Sequence, residues 1–128
     1  MSTPQERMRA LRRGWDLLRD IQLDATVPGE SRKRARALAL RYPAPGMLQE
    51  LLASGAKHLP QDFGAAIDGT RTFFEELQVS ASGAADIQRV LLYTLRHFPL
   101  HPAVARVDDC LEGLQDWLQP EDLTTNAK

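Results

Sequence analysis

The stretch LRYPAPG (Leu40–Gly46) returns in altered form as LRHFPLHP (Leu95–Pro102). Each copy sets Leu-Arg and an aromatic residue ahead of a proline, with a second proline shortly after. The residue before a proline is pushed out of helical geometry, so a helix has to end just before Pro43 and just before Pro99. The later prolines, Pro45 and Pro102, suit the first turn of a following helix, where the missing N–H would have had no partner. Tyr42 and Phe98 close the apolar stripes that precede them, so each is expected to plug its corner into the core. The phrase therefore marks a helix–corner–helix joint, used twice.

Working outward, every segment beside these joints has helical periodicity. In Phe63–Leu77 the positions Phe63, Ala66, Ile67, Thr70, Phe73, Phe74 and Leu77 form one stripe, opposite Asp68, Arg71, Glu75 and Glu76. Ala84–Phe98 aligns Ala84, Ile87, Leu91, Thr94, Leu95 and Phe98, with Leu92 and Tyr93 placed to touch further neighbours. Ala103–Leu118 aligns Val104, Val107, Cys110, Leu111, Leu114, Trp117 and Leu118.

The N-terminal half follows the same rule. Thr3 caps a helix with Pro4 in its first turn, running to about Leu23 and burying Ala10, Leu11, Gly14, Leu17, Leu18 and Ile21, with Met8 and Trp15 beside them. On its polar face Arg12 pairs with Asp16, and Asp16 with Arg19. The next helix, Glu30 to Tyr42, has the stripe Ala35, Leu38, Ala39 and Tyr42. A third, Met47 to Ala56, buries Met47, Leu48, Leu51 and Leu52. No segment alternates as a strand does, so the expected fold is an all-α compact bundle of about six helices.

The two halves align without a gap at an offset of 56, which sets Tyr42 on Phe98 and Pro43 on Pro99. Either a tandem of three-helix units (3–58 and 59–118) or the general likeness of amphipathic helices accounts for this. With 128 residues the chain suits one domain, 1–128, whose last residues 119–128 read as a flexible tail. Charge divides unevenly: residues 1–58 hold 11 Lys/Arg against 6 Asp/Glu, and residues 59–128 hold 5 against 11. Opposed halves of this kind attract each other within one chain, or head to tail in a homodimer. No apolar run reaches the ~18 residues of a membrane span, so no membrane partner is expected. The polar start and the single Cys110 point to a cytoplasmic protein.

Candidate chemistry is sparse. His97 and His101 are four apart, but Pro99 between them breaks the shared helical face a metal edge needs, and no acidic or thiol set completes a site. Glu75-Glu76 and Asp108-Asp109 are adjacent, so on a helix each pair diverges by about 100° and cannot share a proton. Cys110 sits in an apolar stripe with no activating cation. Phosphate-loop, nucleophile-elbow and zinc-protease motifs are missing, so no enzyme, metal or cofactor is expected. The strongest charge features are the basic helix ESRKRARALALRY (30–42), with Arg32, Lys33, Arg34 and Arg36, and an acidic face of Asp108, Asp109, Glu112 and Asp116.

Residues Thr3, Pro4, Glu6, Arg7, Arg9, Ala10, Pro28, Arg32, Ala35, Arg41, Tyr42 and Pro43, spread over Thr3–Leu48, carry a recognisable pattern. It resembles a group of small, uncharacterised proteobacterial proteins that open with a T-P-x-E-R-x-R-A-like helix and reach a basic helix ending in Leu-Arg-aromatic-Pro. That resemblance implies a bacterial helical protein and no activity. TLRHFPLHPAVARVDDCLEGLQ (Thr94–Gln115) is similar to a stretch of small helical immunity proteins that block toxins of type VI secretion. The shared elements are an aromatic-Pro turn and the apolar spacing after it. The expected function is that of a non-catalytic module that binds another protein and modulates or inhibits it. The expected contact residues are Arg32, Lys33, Arg34, Arg36, Asp108, Asp109, Glu112 and Asp116. The alternative is a DNA-associated regulator using the basic helix, although the near-neutral chain weakens the attraction to phosphates.

Overall fold

The computed structural model describes residues 3–99 and 113–120. They form five α-helices, α1 (Pro4–Leu23), α2 (Gly29–Ala39), α3 (Pro45–Ala53), α4 (Gln61–Ser80) and α5 (Ala85–His97), and one isolated turn, α6 (Leu114–Trp117). The fold is an all-α bundle, with no strand among the described residues. α1 is its axis, packing against α2, α3, α5 and α6, while α4 packs against α2 and α5.

α1 starts where the sequence says it must. Thr3 Oγ1 accepts the Glu6 N–H at 3.1 Å and Glu6 Oε1 accepts the Thr3 N–H at 2.9 Å, a reciprocal capping box around Pro4. Its buried face is Met8, Ala10, Leu11, Gly14, Leu17, Leu18 and Ile21. The expected pairs of Asp16 with Arg12 and Arg19 are both present at 3.7 Å. α4 buries Ala66, Ile67, Thr70, Phe73, Phe74 and Leu77, as its stripe requires.

Other helix limits differ from expectation. α2 stops at Ala39 rather than Tyr42, because the backbone already tightens through Leu40 and Arg41 before Pro43. Tyr42 nevertheless stays buried, carried inward by the turn. α3 begins at Pro45, its inward line is Leu48 and Leu52, and Met47 lies beside that line and is half exposed. The helix expected to run to Leu118 is not continuous at Gly113. Gly113 is extended (φ −67°, ψ 150°), and the Leu114 N–H turns away to donate to Lys57 O at 3.1 Å. The expected stripe members Val104, Val107, Cys110 and Leu111 lie outside the described residues.

The two corners meet at one point on α1. A Cβ added at Gly14 would lie 2.5 Å from Tyr42 Oη and 2.8 Å from Phe98 Cε1. Tyr42 donates its hydroxyl to Leu11 O and its ring packs against Trp15, centroids 6.4 Å apart. Phe98 meets Phe74 edge-on at 5.8 Å, and its carbonyl accepts Arg71 Nη1 at 2.8 Å. Both rings thus occupy the space that a side chain at residue 14 would take.

Burial pushes the ionisation of Tyr42 well up, with the charge of Asp16 adding to it. An unfolded tyrosine ionises near pH ~10. Above that pH the unfolded chain loses the proton first, so the stability held at lower pH falls as pH rises toward the folded value. Denaturant unfolding from pH 7 to 11 should show a steeper alkaline loss for the wild type than for Tyr42→Phe. At pH 7 Tyr42→Phe should be about 1 kcal/mol less stable. Parallel curves would contradict this role for the phenol.

Candidate functional site

The basic helix predicted as a contact surface is α2, and its cations are mostly engaged within the chain. Arg32 Nε donates to Val27 O at 3.1 Å, and Lys33 Nζ lies 4.0 Å from exposed Glu30. Arg34 reaches α4, its Nη1 and Nη2 donating to the two carboxylate oxygens of Glu76 at 2.5 and 3.3 Å. Its guanidinium also lies 5.0 Å from the centroid of the buried Phe73 ring. These hydrogen bonds hold the Glu76 carboxyl below its usual range and raise Arg34. Arg36 points to solvent, and with Arg41 it makes no ion pair among the described residues.

Between α2 and α4 runs an open groove of about 440 Å³. Ala37, Leu38, Ala65, Ala66 and Gly69 form its floor, and Arg34 and Arg41 its rim. Leu40, 81% exposed, stands next to Arg41 in the turn that follows α2. The floor stays low because Gly69 has no side chain: a Cβ there would already sit 3.3 Å from Leu38 Cδ2. A second, smaller cleft of about 190 Å³ lies between α1 and the end of α5, lined by Glu6, Arg9, Ala10, Arg13, Tyr93, Arg96 and His97. Leu92 and Tyr93, expected to touch further neighbours, are half exposed, Tyr93 at this cleft.

Of the expected acidic face, Asp116 lies in α6 with its side chain exposed. Asp108, Asp109 and Glu112 lie outside the described residues. α6 itself is well anchored. Gln115 Nε2 donates to Leu52 O and Ala56 O at 3.2 and 3.1 Å, Arg7 Nε donates to Trp117 O at 2.8 Å, and Leu114, Trp117 and Leu118 are buried. His97 pairs with Glu6 at 3.4 Å, and His101 lies outside the described residues. No group of three metal-ligating side chains occurs among the described residues.

Sequence periodicity located the cations of α2 but not the groove beside them. Its signal was present in the small residues Ala37, Ala65 and Gly69, which look like neutral filler until two helices are placed side by side. Comparison of the chain with family models, curated proteins and solved structures finds no match.

The Arg34–Glu76 pair is solvent-exposed, so its ionic part contributes little, whereas the contact with Phe73 remains in any salt. Arg34→Ala should lower stability by about 0.5–1 kcal/mol through the lost ring contact. Glu76→Gln should cost less than that, and only above the ordinary glutamate range. As pH falls through the depressed carboxyl ionisation, the difference between wild type and Glu76→Gln should vanish. Urea unfolding at pH 7 and pH 3 measures both, and a Glu76→Gln loss exceeding that of Arg34→Ala would contradict the assignment.

Proposed function

We propose that this chain is a non-catalytic protein-binding module that modulates or inhibits its partner. In this reading an acidic, partly apolar segment of the partner docks along the α2–α4 groove. The observation that supports it most is the make-up of that groove, an alanine, leucine and glycine floor between Arg34 and Arg41. Short floor side chains leave room for apolar groups of the partner, and the exposed Arg41 guanidinium offers a planar fork to its carboxylates. Arg34 is pre-positioned by Glu76 and Phe73, while Arg41 is exposed and has no ion pair among the described residues. Rim charges of this kind chiefly raise encounter rate and reject wrong partners, whereas the apolar floor governs residence. An immunity or anti-activator role suits a small helical chain acting by covering a surface.

The same geometry weighs against duplex DNA. Three of the four cations expected to meet phosphates, Arg32, Lys33 and Arg34, are directed to Val27 O, Glu30 and Glu76. Affinity for a duplex scales with the number of phosphates neutralised, so this face is poorly supplied.

The test is affinity purification of the tagged chain from its source organism, beside an Arg41→Glu variant with unchanged thermal unfolding. The wild type should retain one stoichiometric protein, with the variant retaining about tenfold less. Equal retention by the variant removes this groove from the account. Nucleic acid in place of a protein, lost on raising salt, favours the DNA-associated reading instead.

A further inference from the structure

The cleft between α1 and the end of α5 has a chemistry that the α2–α4 groove lacks. We propose that it is a binding site for a small phosphate-type dianion, either inorganic phosphate or the phosphate end of a monoester. Arg13 lines it from α1 and Arg96 from α5, with Arg9 one helical turn from Arg13 and His97 next to Arg96. Neither Arg13 nor Arg96 pairs with a carboxylate among the described residues, and Arg13 is half-buried.

The lining contains one carboxylate, and it is committed elsewhere. Glu6 Oε1 accepts the Thr3 N–H at 2.9 Å in the capping box, and its Oε2 faces His97 Nε2 at 3.4 Å. It therefore serves the start of α1 and the end of α5 and does not neutralise Arg13 or Arg96. Arg96 is further steadied by the Tyr93 ring at the cleft, 6.0 Å from its guanidinium.

Size and donor geometry narrow the occupant. At about 190 Å³ the cleft is smaller than the ~300–1,000 Å³ typical of pockets that enclose a drug-sized ligand, so a small anion or one charged end of a molecule fits. A carboxylate satisfies one guanidinium edge, whereas a phosphate has oxygens enough to accept from both walls. Arginine is the residue suited to this, because its charge is permanent and its donors form a fixed fork.

The test is an NMR titration of the whole chain with inorganic phosphate, and separately with glycerol phosphate and with succinate, at constant ionic strength. Saturable shifts centred on Arg13, Tyr93, Arg96 and His97 are expected with one or both phosphates. Arg13→Gln and Arg96→Gln should each weaken binding by about tenfold, as expected for loss of one charge-assisted bond. Arg19→Gln, on the same helix but outside the cleft, should leave binding unchanged. Tighter binding of glycerol phosphate identifies an organic monoester as the occupant, and equal or weaker binding identifies the free ion. Non-saturable shifts, equal losses in all three variants, or succinate binding as tightly as phosphate would each overturn the proposal. Arg96 is exposed, so its variant keeps the test valid even where Arg13→Gln loses stability.

Discussion

At Gly14 the central helix has no side chain, and two aromatic residues from opposite halves of the sequence use the vacancy. Tyr42 arrives from the corner after α2 and Phe98 from the corner after α5, and both come within contact of the same glycine. Neither approach is possible with a methyl group in place, because the nearest ring atoms lie inside the separation that real Cβ atoms tolerate. Once both corners are seated, the exits of α2 and α5 are set against α1. The Tyr42 hydroxyl donating to the Leu11 carbonyl and the Arg71 guanidinium donating to the Phe98 carbonyl then hold the two corners in place. The two surface features follow. α2 lies against both α1 and α4, which opens the groove, and α5 lies against α1, which forms the cleft.

Electrostatics add a second layer. The basic first half and the acidic second half are joined within the chain by Arg34–Glu76. Two polar contacts from backbone groups serve the same end: Asp24 Oδ2 accepts the Ala84 N–H at 2.8 Å, and Arg7 holds Trp117 O. These pairs are partly or wholly exposed, so they select the arrangement of the halves more than they stabilise it. What is left over is informative. Arg41 rims the groove, and Arg13 and Arg96 line the cleft, none of them paired with a carboxylate among the described residues.

Much of this architecture can be read from residues 3–98, and the reasons are local. Periodicity assigns the inward faces of α1 and α4 because one stripe of a helix must be covered, and the capping box and the prolines set the start of α1 and the two corners. The missed features depend on neighbours. Tyr42 is buried although α2 ends at Ala39, since the turn and not the helix delivers it. Gly113 is extended and the Leu114 N–H donates to Lys57 O, a contact between residues far apart in sequence. Glu76 looks like a solvated face until α2 brings Arg34 across. Groove and cleft are relations between two helices, and no single-helix pattern contains them.

The convergence on Gly14 is open to a test of sign. In an isolated helix alanine is favoured over glycine by about 1 kcal/mol. Here the added methyl must push aside a hydrogen-bonded phenol and a packed phenyl ring, a displacement that costs about 1–3 kcal/mol in a filled core. Chemical denaturation of Gly14→Ala at neutral pH measures the balance. The account predicts a lower unfolding free energy than wild type, and a gain in stability would contradict it.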